Sequence, residues 1–131
     1  MARVLGVLGG MGPAATTAFL ARVQALTPAG ADEDHVRVIA DINPQVPNRH
    51  TQPEAAGRTL GEMARALKTA GAQVLAMPCN TAHAHAGAIR AAGLPFIDMI
   101  AETAKAAGAT GARRVGGLAT PGAACLLYTS P

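Results

Sequence analysis

A thiol holds the most suggestive position in this sequence. Met77-Pro78-Cys79-Asn80-Thr81-Ala82 sets Cys79 between the end of an apolar run and the start of an Ala-rich one. At a strand-to-helix junction, the unpaired N–H groups and partial positive charge of the helix start favour thiolate, a nucleophile and proton acceptor. Asn80 and Thr81 are both good N-cap types. The plainer reading is a packing cysteine, since free Cys is among the most buried residue types; the junction favours chemistry. His83 and His85 add metal-ligand residue types, but positions i and i+2 of a helix face roughly 200° apart. They do not converge with Cys79, and no metal site is predicted. His83, in the first turn, has three readings: it orients a substrate, bonds to the loop, or simply packs.

Two further loops carry candidates. The long segment Asp41-Ile42-Asn43-Pro44-Gln45-Val46-Pro47-Asn48-Arg49-His50-Thr51-Gln52-Pro53 holds Arg49, whose planar fork suits a carboxylate, with Gln52 as a neutral donor beside it. A solvated surface arginine is the alternative. Gly9-Gly10-Met11-Gly12-Pro13 leaves an apolar run with glycines free to take positive φ and Pro13 suited to the first helical position. The loop reads either as a tight turn or as a site whose N–H groups face a small carboxylate. Gly10-x-Gly12-x-x-Ala15 also satisfies a loose dinucleotide fingerprint, but Pro13 inside it and the distant Asp41 fit poorly.

The elements that position these loops follow from short Val/Leu/Ile runs, each ended by Gly, Pro, Asn or Asp and followed by an Ala-rich stretch. Strands are predicted near Arg3–Leu8, Val36–Ala40, Gln73–Met77, Pro95–Ile97 and Arg114–Leu118. Helices are predicted near Ala14–Leu26, Pro53–Ala70, Thr81–Ala92 and Ile100–Ala107. Apolar strands alternating with helices make an open, doubly wound parallel sheet, an α/β flavodoxin-like three-layer lobe of four to five strands. Ligands bind such sheets beyond the carboxyl ends of the strands, where all three loops lie.

The 131 residues suffice for one core, and half are apolar although Phe19, Phe96 and Tyr128 are the only aromatics. The formal charge of +3 is spread along the chain without a basic block, which argues against nucleic acid and for anionic small ligands. Glycines cut the opening apolar run below a signal-peptide core, and no stretch approaches a membrane span. Two cysteines, Cys79 and Cys125, make no disulfide framework, so a reducing cytoplasm is expected.

Taken together, Gly9-Gly10-Met11-Gly12-Pro13-Ala14-Ala15-Thr16, Pro47-Asn48-Arg49 and Met77-Pro78-Cys79-Asn80-Thr81-Ala82-His83 resemble the aspartate/glutamate racemase family in order, spacing and strand context. Gly117-Leu118-Ala119-Thr120-Pro121-Gly122 resembles that family's fifth-strand loop. The resemblance implies two similar lobes, each giving one cysteine to opposite faces of the substrate's Cα, with no cofactor. No pyridoxal lysine is evident in these loops.

It further implies Cys79 as the first-lobe catalytic cysteine and Arg49 as ligand of the side-chain carboxylate. Asn80, Thr81 and Ala82 would hold the α-carboxylate, with Met11, Gln52 and Thr120 on neighbouring binding loops. Residues 1–122 would form the N-terminal lobe, and 123–131, including Cys125, a non-native or disordered tail. The second lobe would be absent and the chain alone inactive. The implied ligand is a small amino acid, and the intact family member is expected to be a homodimer. Related chemistries on similar lobes are maleate isomerisation, arylmalonate decarboxylation and hydantoin racemisation. From other classes, the sequence is compatible with a non-catalytic anion- or nucleotide-binding module, or with a lobe that only pairs with its like.

Overall fold

Leu5–Gly9 forms β1, the central strand, and every one of its residues is buried. In the computed structural model, which describes residues 3–121 and 123, β1 pairs in parallel with β2 (Val38–Ile42) on one side and β3 (Val74–Ala76) on the other. Leu5 thus lies opposite both Val38 and Val74. A two-residue β4 (Phe96–Ile97) extends the sheet beyond β3, giving the order β2-β1-β3-β4. This is the flavodoxin-like order, with its crevice where the strand order reverses, between β1 and β3.

Alternation along the strands decides which side chain meets which layer. Leu5, Val7 and Ala76 face one side, where Phe19, Leu20 and Val23 of α1 (Pro13–Leu26) pack over them. Leu8, Leu75 and Met77 face the other, under Leu60, Met63 and Leu67 of α2 (Pro53–Ala70) and Ile89 of α3 (Ala86–Arg90). Helices on both faces make the sheet doubly wound. The α2 layer holds the larger core, and Gly6 permits it: a Cβ there would lie 2.7 Å from Ala72 Cβ and 2.8 Å from Leu75 Cδ2. Pro53 opens α2 and Gly71, at φ 111°, closes it, donating its N–H to the Leu67 and Lys68 carbonyls. The last described helix, α4 (Met99–Ala109), starts on Asp98, whose side chain accepts the Ala101 N–H.

Two expectations fail. Arg114–Leu118 forms no strand: Val115 is 67% exposed and Leu118 fully so. Its two apolar side chains are separated by Gly116 and Gly117, which pack nothing and lose most backbone entropy on ordering, and the neighbouring β4 offers a ladder of two residues. The helix expected over Thr81–Ala92 is instead a 3-10 turn, Thr81–His85, followed by the short α3. The strands begin one or two residues later than expected, β2 running from Val38 to Ile42. The tail from 124 to 131, with Cys125, lies outside the described residues. Among the described residues, no helix is long and apolar enough to cross a membrane.

Candidate active site

The loop after β1 is closed by its own chain. Gly10, at φ 98°, has the Asn43 backbone so near that a Cβ would lie 2.4 Å from it, so the first and second loops meet at a position open only to glycine. Asn43 donates its N–H to the Gly9 carbonyl at 3.0 Å. The Gly10 N–H donates to the buried Thr16 Oγ1 at 2.8 Å, and Thr16 reaches back to the Gly12 carbonyl at 3.3 Å. Spending the Gly10 N–H internally weakens the dinucleotide reading of this loop. Gly12, by contrast, is exposed, with nothing near the place a Cβ would take.

In the second loop, paired Asn side chains set the turns. Asn43 Oδ1 accepts the Gln45 N–H, and Asn48 Oδ1 accepts those of His50 and Thr51. These are local side-chain bonds that replace a regular ladder. Between the turns Val46 drops into the core. Arg49 is half-buried, and its Nε is shielded from solvent with no hydrogen-bond partner among the described residues. Gln52 stands at the α2 N-cap, exposed, its side chain making no cap bond.

The third loop carries the thiol. Cys79 is half-buried against the main core, its N–H donating to the Met77 carbonyl at 2.9 Å. In an α-helix the Cys79 carbonyl would accept the His83 N–H. Here the His83 ring takes that carbonyl, with Nδ1 2.7 Å away, and the His83 N–H turns to the Asn80 carbonyl at 3.1 Å. With the ring on the i−4 carbonyl, the backbone N–H bonds at i−3, the 3-10 pattern. The shorter turn aligns fewer peptide dipoles than the expected helix. His83 itself is buried, its Nε2 accepting the Met99 N–H at 3.1 Å and its ring 5.4 Å from that of Phe96. A ring that donates from Nδ1 and accepts at Nε2 is the neutral Nδ1–H tautomer. His85 points elsewhere, onto Gly57 of α2, and burial lowers its pKa.

Met11, Val46 and Ala82 enter the main core and Cys79 packs against it, so the three loops are anchored on one core. Ala82 is fully buried, which leaves its backbone rather than its side chain for any contact with a ligand. Asn80 is exposed. Thr81 and Thr120 share a hydrogen bond of 3.3 Å between hydroxyls, bringing the irregular segment after α4 to the thiol loop. No hydrogen bond joins the Arg49 or Gln52 side chains to Cys79, Asn80 or Thr81 among the described residues. Thr16 and Asn43 escaped the sequence reading of roles. A hydroxyl one helical turn past Gly12 and an Asn-Pro pair were the signals for them.

The family described as Asp/Glu/Hydantoin racemase matches residues 8–130. A broad-specificity amino-acid racemase of Bacillus subtilis (strain 168), RacX, is 30% identical over 109 residues, 78% of this chain and 48% of the relative. Among solved structures, Picrophilus torridus aspartate racemase superposes with a TM-score of 0.75 at 29% identity, over 84% of this chain and 49% of that one. An aspartate racemase homologue from Pyrococcus horikoshii OT3 shares the fold with a TM-score of 0.74 at 20% identity, over 86% of this chain and 51% of that one. The chain spans about half the length of the relatives it matches.

Proposed function

Because the chain belongs to the Asp/Glu/hydantoin racemase family, we propose that it carries one half of a cofactor-independent racemase site for aspartate or glutamate, with Cys79 as its proton-transferring thiol. The observation that carries this reading is the placing of Cys79 just after β3, half-buried against the same core that Met11, Val46 and Ala82 of the three strand-end loops enter. A substrate resting there has the thiol beside it. Its α-carboxylate would lie against Asn80, Thr81 and Ala82, and its side-chain carboxylate on Arg49, with Gln52, Met11 and Thr120 at the margins.

The chemistry is proton removal from Cα on one face and delivery on the other. The Cα proton beside a carboxylate is very weakly acidic, so the site must stabilise the enolate dianion with N–H donors while the thiolate takes the proton. Arg49 supports the acidic-substrate reading, because its half-buried guanidinium carries an Nε with no internal acceptor among the described residues, and a planar fork suits a carboxylate. One thiol covers one face, and by the family resemblance the second acid belongs to another lobe, so the chain alone is expected to exchange the Cα proton without racemising.

Cα exchange of L- and D-aspartate in deuterated buffer, followed by NMR for this chain and Cys79→Ser, tests the reading. Exchange that requires Cys79 and yields no racemate is the expected result. Exchange indifferent to Cys79 removes the thiol from the mechanism, and racemisation by the chain alone overturns the half-site. The broad specificity of the Bacillus relative favours one second reading, a site for varied amino acids. A panel of neutral substrates exchanging as fast as aspartate would support it.

A further inference from the structure

We propose that His83 is a positioning residue for Cys79, holding the thiol loop in its 3-10 form from behind. The proposal rests on the reading of Cys79 as the reacting thiol and adds a group that touches no substrate. Its basis is the identity of the two groups that the ring bonds, not the bonds as such, since any buried histidine needs partners. The ring captures the carbonyl of the thiol-bearing residue at 2.7 Å and, through Nε2, accepts the first N–H of α4 at 3.1 Å. Cys79 is thereby tied to a second element across the ring.

The surroundings fix the ring in turn. Phe96 of β4 lies 5.4 Å from its centroid, the Arg90 guanidinium sits 5.5 Å over the opposite partner of that pair, Phe96, and Arg90 bonds Asp98 at 3.0 Å. Asp98 caps α4 one residue before Met99, whose N–H the ring accepts. The thiol loop, β4 and α4 are thus braced through one imidazole. If the ring let go, the His83 N–H could return to the Cys79 carbonyl as in an α-helix, and the backbone of Asn80–Ala82 would turn with it.

Packing and positioning predict opposite outcomes for two substitutions. His83→Phe keeps a ring against Phe96 but loses both hydrogen bonds. His83→Asn loses the ring but keeps an N–H donor able to reach the i−4 carbonyl. The readout is the alkylation rate of Cys79 by iodoacetamide in the full chain, in a Cys125→Ser background, with thermal melting recorded alongside. His83→Phe is expected to alkylate about fivefold faster, the rise in local opening that losing the bond to the Cys79 carbonyl brings. His83→Asn is expected to stay within about twofold of the parent.

A Phe variant with the parental rate, or an Asn variant faster than the Phe variant, overturns the proposal. A second measurement needs no variant. Imidazole nitrogen NMR of the unaltered chain is expected to show the His83 proton on Nδ1, and a ring protonated on Nε2 instead overturns the proposal outright. Failure here is distinct from failure of the racemase reading, which is judged by Cα exchange in Cys79→Ser.

Discussion

The Cys79 loop and the Arg49 loop are anchored on the same core but held in different ways. In the thiol loop the tether grips the thiol-bearing residue itself, the His83 ring on the Cys79 carbonyl. In the arginine loop Asn43 and Asn48 grip the neighbours, Gln45, His50 and Thr51, and leave the Arg49 Nε without a partner among the described residues. The backbone of the residue proposed to move a proton is held by its own chain, whereas the residue proposed to meet a carboxylate has its Nε without an internal partner among the described residues. Preorganised reacting groups and adaptable binding groups follow the usual division of labour in a site, since misplacing a reacting atom costs more than misplacing a charge.

The sharpest way to break this comparison is at Gly10, where the first loop meets the second. Gly10→Ala would put a methyl 2.4 Å from the Asn43 backbone at φ 98°. A disfavoured φ plus backbone overlap should cost roughly 2–5 kcal/mol in urea unfolding. A loss below about 1 kcal/mol would mean that the second loop is free to shift and that its turns are not set from the first.

Thr16→Val is the milder form of the same cut. It keeps the shape and removes the hydroxyl that receives the buried Gly10 N–H at 2.8 Å. An unsatisfied buried N–H costs about 1–3 kcal/mol. Equilibrium unfolding should fall by that amount, with faster amide exchange at Gly10. Unchanged exchange there would show that the closure of the first loop comes from Asn43 alone.

Arg49→Lys tests the other side of the comparison. It should leave unfolding within about 0.5 kcal/mol of the parent, because no internal hydrogen bond is lost at Nε. It should weaken aspartate binding by about tenfold, because the bidentate fork is gone. Titration calorimetry beside a melting curve separates the two. Lost stability with unchanged affinity would make Arg49 a structural residue and reverse the contrast.

The uneven grip also explains what was legible in the sequence. The bounds of α2, Pro53 to Ala70, were legible because proline at the start and a left-handed Gly71 at the end are backbone signals. The sheet was legible because β1 is apolar throughout and flanked by helical stretches. The break at Thr81–His85 was not, since helix propensity is a property of the backbone and the break goes with one ring choosing one carbonyl. The fifth strand was read from Val115 and Leu118, whose apolar character says nothing of whether a neighbour is long enough to pair with. Of the proposed site residues, Met11 and Ala82 enter the main core that Cys79 packs against, while Gln52 stands at the α2 N-cap and Arg49 three residues before it, without a hydrogen bond to the thiol loop among the described residues. Thr16 and Asn43 were hidden because their role is to bond the backbone of another loop, which spacing alone does not reveal.

Acid should act on the thiol side of the comparison first. Burial lowers the His85 pKa, so the folded state binds its proton less readily than the unfolded chain. Its contribution is full above about pH 6.5 and is lost as pH falls toward the lower folded value. Asp98 follows in stronger acid. Burial pushes its carboxyl up, but the Ala101 N–H, the Arg90 guanidinium and the other groups around it outweigh burial and hold it below the ordinary range. Its contribution is complete above about pH 3.9 and lost below, and it is small because the pair with Arg90 is partly exposed. Both groups flank the thiol loop, His85 ending its 3-10 turn and Asp98 preceding the Met99 that bonds His83. Protection against hydrogen exchange, corrected for the slower intrinsic exchange in acid, should therefore fall around 81–90 between pH 7 and 5 before it falls around 43–52, and His85→Gln should flatten that early step. Loosening that begins in the Arg49 loop would mean that the asparagine turns, not the histidine brace, are the weaker hold on this site.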